Sequence, residues 1–333
     1  MNAAESNAYR RLEKLSNVSL PTAEHRLRRR LELDWVQQNG WSRSLLDTRR
    51  AILHAKSSGV YVGPGVGSTE ASLLLYCLGL TYFDPVRHGL FPGGFYRSRQ
   101  DTHHSPACFS VSEIIARTRH YREESILVEL ARSGQTRTST EFTWPTAKEL
   151  TTLDLFPASK STEHTTPRET GETPRWSFQT YPSARWVFKR YSGRGYEDLL
   201  CALAISRPGP SGSGMVQSYI EAAKRDQAAT SLPMLHASRG VPLFREQLYE
   251  IGERLLELDI DGSGRFAVDL LKGRAETWMP ALNSALKRHT GDRQEARRLS
   301  EILIRFAPYL YPRAHTLSRA WLLVQRARLH LAD

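Results

Sequence analysis

Three glycines set one residue apart, Gly63, Gly65 and Gly67, stand between the apolar residues 60–62 and a run holding Ser68, Glu70, Ala71, Leu74, Leu75 and Leu78. Val60, Tyr61 and Val62 favour an extended strand, and the glycines allow backbone angles that side chains forbid. Ser68 is a good N-cap, Glu70 falls in the favoured first turn, and Gly79 can end the helix. A strand, a tight turn and a helix are therefore predicted. Free amides of such a turn, at the positive end of a helix, suit a phosphate group. A glycine turn that only joins strand to helix is the commoner use. The stretch lacks the Gly-Lys-Ser/Thr of a P-loop and the third glycine of a dinucleotide fingerprint.

Other residues of chemical type are less organised. Residues 259–264, DIDGSG, resemble a calcium loop but meet Leu270 or Leu271 where the loop needs a glutamate, so a turn joining helices is the expectation. Asp101, His103 and His104 could be ligands, although a polar loop accounts for them more simply. Cys77, Cys108 and Cys201 are far apart and not at metal-ligand spacing, which indicates neither a disulfide framework nor a zinc site. The net charge of +11 over 333 residues suits a polyanion partner. No signal peptide and no run near the roughly 20 apolar residues of a membrane span is evident, so no membrane partner and a soluble, cytoplasmic protein are expected.

The elements that must position these residues are mostly helical. Residues 8–58 read as helices, with Leu27, Leu31 and Trp35 on one face of the second and Leu45, Leu46, Ile52 and Leu53 lining the third, separated by Gly40 and Gly59. The arginines of residues 26–30 read as a solvated helix face. Residues 133–175 are rich in Thr, Ser, Glu and Pro, and a flexible linker over 157–175 divides a region 1–156 from a helical region 176–333. In the second region Leu199, Leu200, Leu203 and Ala204 line a helix closed by the stiff residues 207–210. Phe244, Leu248, Ile251 and Leu255 form the next stripe, and Leu317, Ala320, Trp321 and Val324 the last, with Arg319, Arg326 and Arg328 outside.

Residues 61–85, YVGPGVGSTEASLLLYCLGLTYFDP, resemble the palm of the alpha subunit of bacterial DNA polymerase III, a C-family DNA polymerase. That family carries Val-Gly-Pro-Gly-Arg-Gly-Ser, a helix, then Tyr-x-Leu-Gly-Ile-Thr-x-x-Asp-Pro. The resemblance is colinear from about residue 24 to 331. It implies an α+β, helix-rich fold in which a nucleotidyltransferase-like palm precedes a mostly helical fingers domain. It also implies that Gly67 and Ser68 face the triphosphate of an incoming nucleotide, with Val66 in place of the family's arginine. Residues 106–111, PACFSV, fall where the family's metal-binding Pro-Asp-x-Asp-x-Asp-Phe lies, so those aspartates are gone. Asp154, in ELTTLDLFP, matches the third metal carboxylate. Far fewer residues separate the two segments than in the family, so the thumb is expected to be missing, as are the metal domain before the palm and the clamp-binding modules after the fingers.

In the second half Phe178, Gln179, Glu197, Asp198, residues 207–210 and residues 213–216 follow the start of the family's fingers, and Glu246 and Gln247 keep its Phe/Tyr-Gln-Glu-Gln pattern. The family's Leu-Arg-Arg-Ala-Met-Gly-Lys-Lys becomes FAVDLLKGR, where Lys272 and Arg274 retain some basic character. Arg313 and His315 match the Lys and His of Phe-Asn-Lys-Ser-His, although a capping or packed histidine fits the residues equally.

The resemblance thus implies nucleotide-binding roles for Gly67, Ser68, Lys272, Arg274, Arg313 and His315, and a metal and catalytic role for Asp154. Magnesium is the implied cofactor if catalysis survives. The implied partners are primer-template DNA, deoxynucleotide, and other polymerase or repair subunits. Two-metal phosphoryl transfer needs carboxylates to hold two cations about 4 Å apart, and alanine or phenylalanine supplies no such ligand. The leading expectation is a DNA polymerase III alpha-like protein of replication or repair with lost or impaired nucleotidyl transfer. The alternatives are an active polymerase whose metals sit on Asp154 with Asp101 or Glu113, and a non-catalytic structural partner of a polymerase or repair complex.

Overall fold

A computed structural model describes residues 3–57, 64, 69–92, 186–188, 195–224 and 230–332. The glycine turn with Gly67 and Ser68, the metal-motif segment 106–111, Asp154 and the 157–175 linker lie outside them. The described residues are helical, and their only backbone pairing of sheet type is a parallel bridge between Phe244 and Tyr311. The strand expected at residues 60–62 and the palm segment around Asp154 fall outside the described residues, so the helix-rich half of the expected α+β fold is what the structure displays.

Four helices form the first layer: α1 (Ala3–Leu15), α2 (Ala23–Gln38), α3 (Ser42–Ser57) and the short α4 (Leu73–Cys77). Leu12, Leu33, Val36, Leu45, Ile52, Leu74 and Leu78 close a core between them. Helices α2 and α4 both end on a left-handed glycine, Gly40 (φ +69°) and Gly79 (φ +71°). In each case the glycine amide and the next one bond back to the last turn, Trp41 to Val36 and Leu80 to Leu75, which satisfies carbonyls the helix leaves over.

The face of α2 differs from the one periodicity suggests. Leu27 and Leu31 are 60% and 44% exposed, whereas Arg28 and Glu32 are buried. Glu32 accepts hydrogen bonds from the Ser72 hydroxyl (2.6 Å) and from the amides of Leu73 (3.1 Å) and Leu74 (2.8 Å), the first turn of α4. Arg28 Nε donates to Glu32 (3.2 Å), and its other nitrogens donate to the carbonyls of Leu90 and Ala71. A buried carboxylate and a set of helix amides without partners are each costly alone, and here each satisfies the other. That gain outweighs burying two leucines, so the 26–30 arginine cluster is only partly a solvated face. The same pairing moves the expected helix start, since Ser72 rather than Ser68 is the N-cap of α4, accepting from the Leu75 amide (3.1 Å). Glu70, buried in the preceding 3₁₀ turn, accepts from the amides of Tyr82 and Phe83. His25 Nε2 pairs with Asp84 (3.0 Å), tying the start of α2 to the turn at Asp84 and Pro85.

The remaining helices are α5 (Tyr196–Ile205), α6 (Pro208–Ser213), α7 (Met215–Lys224), α8 (Arg245–Arg254), α9 (Ile260–Leu271), α10 (Met279–Thr290), α11 (Arg293–Phe306) and α12 (Arg313–Ala332). The stripes of α5, α8 and α12 are buried as their periodicity predicts. The DIDGSG stretch forms the N-cap and first turn of α9, where Asp259 accepts from the Gly262 amide (2.7 Å). Its leading carboxylate is thus occupied by the helix it starts.

Gly252 of α8 lies so close to α9 that a Cβ there would sit 3.0 Å from the Ser263 backbone, so a larger residue would have to push the two helices apart by a few tenths of an ångström. Helix α12 runs through the middle of the larger core and is buried on nearly all sides. Arg319, expected outside, is 3% exposed because α12 has no solvent face at that turn, and its Nε lies 3.4 Å from His315 Nε2. Trp321 of α12 meets the rings of Tyr82 (5.5 Å) and Phe83 (6.4 Å) edge-on, which docks residues 81–91 on this core.

Replacing Glu32 with Ala should strand the Arg28 guanidinium and the α4 amides and lower stability by about 3–5 kcal/mol in urea unfolding. Asp47→Ala, which breaks only the exposed pair with Arg50, should cost less than about 1 kcal/mol.

Candidate functional site

The start of α12 carries two of the residues matched to nucleotide contacts, Arg313 and His315. Its first amides are capped from another helix. Glu246 of α8 accepts from the Arg313 amide (2.8 Å) and the Ala314 amide (3.2 Å). Burial holds the Glu246 carboxyl above its ordinary value, against the lowering pull of those amides. Gln247 beside it accepts from the amides of Leu243 and Phe244 and donates to the Met234 carbonyl and the Ser238 hydroxyl, so all its polar capacity is internal. The Glu-Gln pair is thus a clamp that fixes where α12 begins.

Arg313 points away from that cap and binds Glu197 of α5 at 2.5 Å. The guanidinium also lies 5.5 Å from the Phe244 ring centre. Arg313 Nε and Glu197 Oε2 are both buried without a hydrogen-bond partner among the described residues. Burial, and then the Glu197 charge, push the neighbouring Tyr196 phenol up to about 12. His315 is buried, packs edge-on against Tyr311 (5.2 Å), and sits in the interior of the fold. Arg207, before α6, stacks over Tyr311 (4.1 Å) and donates to the Tyr309 carbonyl, bracing the same corner.

Lys272 and Arg274 lie together after α9 and share no hydrogen bond or ion pair with Arg313 or His315 among the described residues. Lys272 is exposed and C-caps α9 through its backbone. Arg274 pairs with Asp269 (2.6 Å), whose other oxygen accepts from the Trp278 indole (2.9 Å). Asp269 stands where the resemblance expects a basic residue, so that one change both removes a cation and neutralises another. Glu197 and Asp269 are visible in the sequence, but a carboxylate's partner across a fold leaves no local signal there. Among the described residues no three His, Cys, Asp or Glu side chains converge as a metal site. No helix there is long and apolar enough to cross a membrane.

Two family models match the chain: the bacterial DNA polymerase III alpha NTPase domain over residues 3–102, and the bacterial DNA polymerase III alpha subunit finger domain over residues 182–289. Among similar proteins, the DNA polymerase III subunit alpha of Yersinia pestis is 40% identical over 73 residues, which is 21% of this chain and 6% of that protein. That of Thermus aquaticus is 42% identical over 82 residues, 24% and 7% of the two chains. That of Helicobacter pylori is 26% identical over 154 residues, 42% and 12%. The chain belongs to the family of bacterial DNA polymerase III alpha subunits, and its matches span only a small share of those relatives' length.

His88 offers a check on how this corner is docked. Its ring lies 5.7 Å from Phe83 and 6.4 Å from Tyr196. Burial depresses its pKa, with Asp84 opposing and Arg313 and Arg87 assisting. Its folded value lies below the ordinary 6.5, so the unfolded chain takes up the proton first, and the stability from neutral His88 is present above 6.5 and lost as the pH falls below it. His88→Phe should flatten the fall in melting temperature between about pH 7 and pH 5.

Proposed function

We propose that the chain is a DNA polymerase III alpha-like protein of DNA replication or repair that binds primed DNA or nucleotide while its nucleotidyl transfer is lost or impaired. The observation that carries this reading is the loss of charge where the chemistry needs it. The metal-motif segment 106–111 has no carboxylate, and the cations Arg274 and Arg313 are each held by a carboxylate of the chain itself. Phosphoryl transfer rests chiefly on positioned charge, so such losses cost orders of magnitude in rate. Gly67, Ser68 and the exposed Lys272 are the groups proposed to meet nucleotide, and Asp154 would be the one matched carboxylate for magnesium. The cytoplasm, beside the nucleoid, is the proposed place of work.

Primer extension on a primed template, with magnesium and with manganese, should give no product, while filter binding to the same template should weaken steeply with salt, by about 0.9 log units per log unit of salt for each phosphate contacted. Extension that disappears in Asp154→Ala overturns the loss of catalysis. A flat salt response overturns DNA binding.

A further inference from the structure

A groove of about 310 Å³ lies along α10 and adjoins the Asp269–Arg274 pair through Trp278. Ala281, Ser284, Ala285 and Arg288 of α10 line it at helical spacing, so one face of that helix forms its length. Leu256 and Leu258, in the turn between α8 and α9, form the facing wall. Trp278 closes one end. Its indole donates to Asp269 (2.9 Å) and its ring meets Phe266 edge-on at 5.4 Å, so it is held in place before anything binds. Arg288 lies at the other end, ten positions along the chain, about 15 Å away. Arg288 is exposed and forms no ion pair among the described residues.

We infer that this groove docks an acidic segment of a partner protein, which places one bulky apolar side chain between Trp278 and the leucines and a carboxylate on Arg288. Small residues on α10 leave room for such a side chain, and apolar walls reward its burial. A nucleobase fits less well. With the Trp278 indole already engaged, Ser284 and Arg288 are the polar side chains left in the lining, and most polar edges of a base would go unsatisfied. The net charge of +11 and the adjoining Lys287 favour an acidic partner. Glu257, exposed between the two leucines, disfavours a carboxylate at that wall and so sets the direction of the segment.

The test uses a fluorescein-labelled peptide with one phenylalanine flanked by aspartates and glutamates, read by anisotropy with the full chain. Binding should weaken at least ten-fold in Arg288→Gln and in Ala281→Trp, which fills the groove from an exposed position, and on changing the peptide's phenylalanine to alanine or its acids to lysines. No binding, or binding indifferent to Ala281→Trp in a protein whose circular dichroism is unchanged, overturns the inference. Loss of an oligothymidylate's binding in Ala281→Trp would assign the groove to nucleic acid and overturn it equally. Primed-template binding, measured in the same variants, reports on the polymerase-like reading separately.

Discussion

Buried carboxylates that cap helices other than their own are the constraint on which this structure depends. A helix leaves its first amides without partners, and a carboxylate taken from water needs several donors. Glu32 meets α4 in this way and Glu246 meets α12, while the half-buried Glu5 of α1 makes a weaker version of the contact, accepting from the Ser42 (2.6 Å) and Arg43 (3.4 Å) amides that open α3. Each such contact is specific in a way that apolar packing is not. A leucine tolerates a slide of its neighbour, whereas a carboxylate shared between two amides fixes both the axial position and the direction of the helix it caps.

Much of the helical frame is legible in the sequence. Apolar periodicity locates the stripes of α5, α8 and α12, and Gly40 and Gly79 mark helix ends because each must adopt a left-handed angle. Hydropathy places Leu27 and Leu31 inside because it treats charge as a surface property, and the long-range polar contacts of Arg28 and Glu32 reverse that order. Ser72 displaces Ser68 as a cap for the same reason, since its position is decided by Glu32, far away in the chain. Arg319 is inside for a different reason, the lack of a solvent face on α12 at that turn.

The candidate site is legible in its residues but not in their state. The resemblance points to Arg313, His315, Lys272 and Arg274, yet only the fold reveals that Arg313 faces Glu197, that Arg274 faces Asp269 and that His315 is packed inside. Whether a cation is available to a ligand depends on what lies across from it. Neighbours brought together by tertiary structure cannot be read from spacing along the chain.

The central place of α12 bears on how the molecule comes to be made. The helix that fills the larger core lies far along the chain from Tyr82 and Phe83, which rest on its Trp321. On the ribosome, those aromatic rings and the apolar faces of α5 and α8 must wait for it, exposed to water and to each other. Contacts this distant in sequence form late and slowly, and apolar surface left open meanwhile invites aggregation. The protein's yield on synthesis should therefore be governed by chaperone supply more than by the stability of the finished fold.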